Sequence, residues 1–132
     1  MSTLATEFAN GDTLTVTIGF PRGETALITA ILTTPFAGRV SVLGSRGWVE
    51  IRDRNHPEDP RGWDVTTVRR GAEPVTEFQP PHPSVRENIE HFARAAAGEA
   101  TYPVTLQEML ANVETFEAIT RSARSGLVEP VG

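Results

Sequence analysis

Residues Gly44-Ser45-Arg46-Gly47-Trp48-Val49-Glu50-Ile51 read GSRGWVEI. Two glycines bracket a serine and an arginine, directly after the apolar run Arg39-Val40-Ser41-Val42-Leu43. A glycine-rich loop that cradles phosphate opens a helix, whose free N–H groups and dipole face the anion. Here the loop is followed by Trp48-Val49-Glu50-Ile51-Arg52-Asp53, which alternates with the period of a strand. The stretch therefore reads as a hairpin turn, with glycine supplying a positive φ. Neither G-x-G-x-x-G nor G-x-x-x-x-G-K-[ST] occurs anywhere in the chain.

Working outward from the hairpin, the strands continue on both sides. Thr13 to Phe20 alternates strictly, with Leu14, Val16, Ile18 and Phe20 on one face and threonines on the other. A turn at Pro21 to Glu24 leads into a second strand over Thr25 to Thr34, which Pro35 ends. Arg39 to Leu43 and Trp48 to Asp53 are the hairpin strands. Asn55 to Gly62 is a loop rich in proline and charge. Trp63 to Arg70 and Pro74 to Phe78 complete six strands.

After the prolines of Gln79 to Pro83, which favour an extended connection, the period changes to that of a helix. Ser84 with Glu87 has the spacing of a capping box, and Val85, Ile89, Phe92, Ala93 and Ala96 form a stripe. Thr105 with Glu108 repeats the box. Leu106, Met109, Leu110, Val113, Phe116, Thr120 and Ala123 follow at helical spacing, and Gly126 is a stop. These stripes are expected to form the core, and Val128 to Val131 a short last strand. Strands first and helices after predict an α+β fold: a predominantly antiparallel β-sheet with helices packed on one face. The domain is expected over residues 12–132, behind a polar N-terminal segment, residues 1–11.

Composition narrows the chemistry. The 132 residues hold no cysteine, which excludes disulfides and thiolate metal sites. All twelve basic residues are arginine, which excludes Schiff-base and P-loop lysine chemistry. A net charge of −5 gives no general attraction to nucleic acid or anionic lipid. No apolar run approaches the roughly 20 residues of a membrane span. With no basic-then-apolar leader pattern at the N-terminus, a cytoplasmic location is expected.

Two longer stretches carry a resemblance: TPFAGRVSVLGSRGWVEI (Thr34 to Ile51) and NIEHFARAAAGEATYPVTLQEMLANVETFEAITRSARSG (Asn88 to Gly126). Together they resemble the C-terminal domain of the Gfo/Idh/MocA oxidoreductases, the glucose–fructose oxidoreductase and inositol dehydrogenase family. The family's strand–Gly-Ser/Thr-x-Gly–strand hairpin precedes an Asn-x-x-x-Phe-x-x-Ala helix, matched by Asn88, Phe92 and Ala95 or Ala96. Its last helix is matched by Glu117, Ala118, Ile119, Ser122, Ala123, Ser125 and Gly126. The resemblance implies the substrate-side and oligomerisation domain of an NAD(P)-dependent enzyme acting on a sugar or polyol. It also implies that NAD or NADP, a catalytic lysine and an Asp/His pair belong to a Rossmann domain and its junction. None of these is in this chain, so no catalytic or cofactor-binding residue is assigned. The family often has a tyrosine seven residues before the helix phenylalanine; Val85 stands there. The alternative is a free-standing, non-catalytic binding or assembly module.

Among individual residues, His82 and Arg86 are the candidates for substrate contact, at the entry to the first helix. His56, Glu58 and Asp59 share one loop but lack the rigid frame of a metal site, and no metal is assigned. Two helices cover only one face of a sheet. Leu27, Ile31 and Trp48 are expected on the other face and are the candidates for a homo-oligomer interface.

Overall fold

The computed structural model describes residues 2–4 and 11–132. Among the described residues, seven strands and two helices follow in order: β1 (Ser2–Leu4), β2 (Thr13–Gly19), β3 (Thr25–Ile31), β4 (Arg39–Gly44), β5 (Gly47–Asp53), β6 (Trp63–Arg69), β7 (Val75–Gln79), α1 (Ser84–Ala96) and α2 (Leu106–Ser125). The α+β class and the antiparallel pairing agree with the sequence. The single sheet does not: the strands divide into a three-stranded sheet, β1-β2-β3, and a four-stranded one, β4-β5-β6-β7. The pairing stops in the link after β3, where Pro35 cannot donate a ladder hydrogen bond. β1 falls within the segment read only as polar; it pairs with β2, Thr3 opposite Leu14. The remainder of that segment, residues 5–10, lies outside the described residues.

The chain forms two compact units. One holds β1–β3 with His91–Gly132; the other is Thr34–Glu90. In the first, β2 and β3 pair Val16 with Ile28 and Ile18 with Ala26, so one face is apolar. Among the described residues, its buried apolar side chains are Val16 on β2 and Ala118 on α2, 6% and 3% exposed. In the second, the central strands β5 and β6 are half-buried and the edges β4 and β7 exposed.

The hairpin at Gly44 forms as expected. Gly44 pairs with Gly47, leaving a two-residue loop of Ser45 and Arg46. The positive φ belongs to Gly47, at +152°.

The capping boxes differ. Thr105 and Glu108 form theirs, the Thr105 hydroxyl accepting from the Glu108 N–H and the Glu108 carboxylate accepting from the Thr105 N–H. The hydrogen bonds from the Thr105 backbone and hydroxyl hold the Glu108 carboxyl below its ordinary pKa. Ser84 and Glu87 do not reproduce the box. The Glu87 N–H donates to the Pro83 carbonyl, and its carboxylate turns to the His82 ring. Proline at 83 already fixes the entry to α1, and the imidazole competes for the carboxylate. Gly126, at φ +70°, ends α2. Val128 to Val131 is not a strand. Arg121 donates to the Pro130 carbonyl and Ser122 to the Leu127 carbonyl, folding this tail back on α2.

The helical stripes exist, but they are not core. On α1 the half-buried positions are Glu87, His91 and Ala95; on α2 the buried side is Thr115, Ala118, Ile119 and Ser122. Val85, Ile89, Phe92, Leu106, Leu110, Val113 and Phe116 are exposed. On α2 the buried position is the small Ala118, while the larger Phe116 stays exposed. Phe92 is 63% exposed and meets the Tyr102 ring edge-on at 6.1 Å. Phe92→Ala should then cost about 1 kcal/mol, the worth of one edge-to-face pair, rather than the larger loss of a core phenylalanine. Urea unfolding checks this, and a loss above about 3 kcal/mol would place Phe92 in a core.

Candidate functional site

The proline-rich loop between β5 and β6 is held by its own polar groups. Asn55 Nδ2 donates to the Asp59 carbonyl and carboxylate, both at 2.8 Å, and the Asp59 N–H donates to the His56 carbonyl. Arg61 pairs with Asp59 at 3.2 Å. His56 packs edge-on against Phe36, with ring centres 4.9 Å apart. These contacts engage His56 and Asp59, two of the three residues weighed as metal ligands. Among the described residues, no group of three or more His, Asp or Glu side chains is placed to hold a metal ion.

Where this loop meets the entry to α1, the unit 34–90 has a cleft of about 250 Å³. His82 and Arg86 both line it. Asp53, Asn55 and Trp63 do so too, and these were not singled out as site residues from sequence. The signal for two of them was present. A β5–β6 hairpin sets Asp53 opposite Trp63. The indole Nε1–H then donates to Asp53 at 2.7 Å, which fixes the ring. Pro57, Pro60 and Pro83 add rigid apolar wall.

The polar rim is ordered. His82 Nε2 donates to Glu87 at 2.8 Å. Arg86 stands 3.7 Å from Glu90, an i,i+4 ion pair on α1. Farther along the sheet, Arg54 donates to Asp64 through Nη2 at 2.6 Å and lies over the Phe78 ring. The hydrogen bond from Arg54 holds the Asp64 carboxyl below its ordinary pKa. The cleft thus gathers an indole, a carboxylate, an amide, an imidazole and a guanidinium. Such a set can hold and orient a hydroxylated ligand by hydrogen bonds around an apolar wall. Hydride chemistry would require a cofactor positioned against it.

The interface candidates are divided between the two units. Leu27 and Ile31 share the threonine face of the β2–β3 ladder, opposite Thr17 and Thr13, and both are exposed. Trp48 belongs to the other unit, in line with Leu43 and Val68 across β4, β5 and β6.

No helix among the described residues is long and apolar enough to cross a membrane. No curated protein and no solved structure matches the chain at a significant level. One family does match, described as "Oxidoreductase family, C-terminal alpha/beta domain", over residues 3–131. With that match spanning nearly its whole length, the chain belongs to the Gfo/Idh/MocA oxidoreductase family as a C-terminal domain.

Proposed function

We propose that the chain is the substrate-side and oligomerisation domain of an NAD(P)-dependent oxidoreductase that acts on a sugar or polyol in the cytoplasm. The family match over residues 3–131 carries this reading. NAD or NADP sits on a Rossmann domain, which also supplies the acid–base group for hydride transfer. In this chain His82 and Arg86 contact the substrate, from the cleft they line with Trp63 and Asp53. The threonine face bearing Leu27 and Ile31 joins subunits.

The test joins the chain to the dinucleotide-binding domain of a family enzyme stripped of its own C-terminal domain. The chain alone should neither bind NAD or NADP in calorimetry nor oxidise a polyol. The fusion should form NAD(P)H when a polyol is added. Arg86→Ala in the fusion should raise KM about tenfold with a smaller change in kcat, the mark of a lost binding contact. Micromolar cofactor binding by the chain alone would overturn the division of labour. An unchanged KM in both Arg86→Ala and His82→Ala would remove these residues from the site.

A further inference from the structure

The polar groups of the cleft share a sign that their neighbours impose. His82 and Asn55 both line it. Each is two-sided: a neutral imidazole has one donor and one acceptor nitrogen, and a primary amide has an oxygen and an NH2. An ionised carboxylate only accepts, so the 2.8 Å bond to Glu87 puts the His82 proton on Nε2 and leaves Nδ1 its lone pair. Asn55 Nδ2 gives its hydrogens to the Asp59 carbonyl and carboxylate, both at 2.8 Å, which leaves Oδ1. Neither His82 Nδ1 nor Asn55 Oδ1 has a hydrogen-bond partner among the described residues. Asp53 is an acceptor too, with one oxygen already taken by the Trp63 indole. The Glu87 carboxylate goes to the imidazole rather than to the Ser84 N–H, which donates to the His82 carbonyl. Pro81 and Pro83 stiffen the backbone on either side of that histidine.

We propose that Glu87 and Asp59 are positioning residues that fix His82 and Asn55 as hydrogen-bond acceptors, so that the cleft recognises a neutral diol by its hydroxyl hydrogens. This rests on the reading of the cleft as the substrate side, and names the chemistry it selects. The donors left to a ligand are the Arg86 guanidinium and the Ser84 hydroxyl. A ligand hydroxyl serves both sides at once: its hydrogen goes to Nδ1 or Oδ1 while its oxygen accepts from Arg86. An ether or ketone oxygen only accepts, and would face those lone pairs with no hydrogen between them. A carboxylate or phosphate suits Arg86 but brings negative charge against Asp53 and lone pairs against His82 and Asn55. Arg86 is also partly neutralised by Glu90, 3.7 Å away. Trp63, Pro57 and Pro60 give the carbon skeleton an apolar wall. Where one of the two recognised hydroxyls is the one oxidised, the ketone lacks a donor and is held less well than the alcohol.

The probes are vicinal cis-cyclohexanediol, its dimethyl ether and the matching cyclohexane dicarboxylate, titrated into the ¹⁵N-labelled chain with its imidazoles neutral. His82→Ala identifies the His82 ring signals among the three histidines. The wild-type ring should be the Nε2–H tautomer. The diol should shift the His82 ring and Asn55 amide signals with a Kd at least about tenfold below that of the ether or the dicarboxylate. Glu87→Lys, which can only donate, should move His82 toward the Nδ1–H tautomer and narrow the preference for diol over ether. Asp59→Ala, which frees one Asn55 hydrogen, should narrow it as well. A purely structural role for Glu87 would change neither tautomer nor preference. An Nδ1–H tautomer in the wild type, or an ether or dicarboxylate that binds as tightly as the diol, would overturn the proposal. So would a preference unchanged in either variant, or no shift with about 100 mM diol. The oxidoreductase reading fails separately. It stands if His82→Ala raises KM in the fusion even though diol and ether bind alike. Diol selectivity in turn stands if the fusion transfers no hydride, because these probes report binding alone.

Discussion

Gly47→Val should destabilise the four-stranded sheet by about 3–5 kcal/mol, combining backbone strain with overpacking in a close strand pair. Two features of this position act together. Its φ of +152° is one that a β-branched residue rarely adopts. A Cβ there would also strike the Val68 carbonyl and lie 3.0 Å from the Arg69 Cα, both backbone atoms of β6 that cannot swing aside. Gly44, on the other side of the turn, has no such neighbour closer than 3.6 Å, so Gly44→Ala should be far milder. The loss approaches the whole stability of a small domain. Urea unfolding of the two variants measures it. A Gly47→Val protein within about 1 kcal/mol of wild type would show that β5 and β6 are not this close.

Trp63→Ala should cost about 3 kcal/mol, the range for removing a large aromatic from a packed position, reduced because the indole is only half-buried. The indole closes the cleft wall and donates to Asp53 at 2.7 Å. Trp63→Phe keeps most of the apolar area but removes that donor from Asp53, and should cost about 1–2 kcal/mol. Trp48→Ala serves as the control: Trp48 is exposed and should cost less than Trp63. Equal losses for the two tryptophans in urea unfolding would mean that the Asp53 hydrogen bond does not anchor the ring. In the fusion enzyme, Trp63→Phe should disturb KM less than Trp63→Ala does, because the flat wall remains.

Periodicity was sufficient for the strands from Thr13 onward and for both helices, because alternation and 3.6-residue spacing are local properties. It also located the hairpin at Gly44, where a two-residue loop between alternating runs admits little else. What it could not specify was direction. The α2 stripe of Leu106, Val113 and Phe116 is plain in the sequence, yet Ala118 is the side chain that becomes buried. A hydrophobic stripe identifies a surface that seeks a partner without identifying the partner. β1 was missed because Ser2-Thr3-Leu4 is too short to display a period; only its pairing with Thr13 to Thr15 defines it. At the cleft, the place of His82 and Arg86 was legible from the helix entry they occupy, and both line it. Asp53 and Trp63 required knowledge of register, since ten residues and a proline-rich loop separate them in the chain. The Ser84 box failed for a competitive reason: the sequence could not show that His82 would claim Glu87 first.

The order of the four-stranded sheet has a consequence for how the chain comes together in time. β4, β5, β6 and β7 lie side by side in the order in which they are synthesised, each paired with its predecessor. Every rung of that ladder closes a short loop, the arrangement with the smallest entropy loss and the fastest assembly. The other unit is the opposite case. It joins β2 and β3 to α2 across the whole of residues 34–90, so it cannot be complete until the last helix has been made. During synthesis the β2–β3 hairpin therefore waits, with its apolar face uncovered, while the later strands zip past it. A nascent chain halted before Leu106 would hold the whole of one unit and lack α2 from the other.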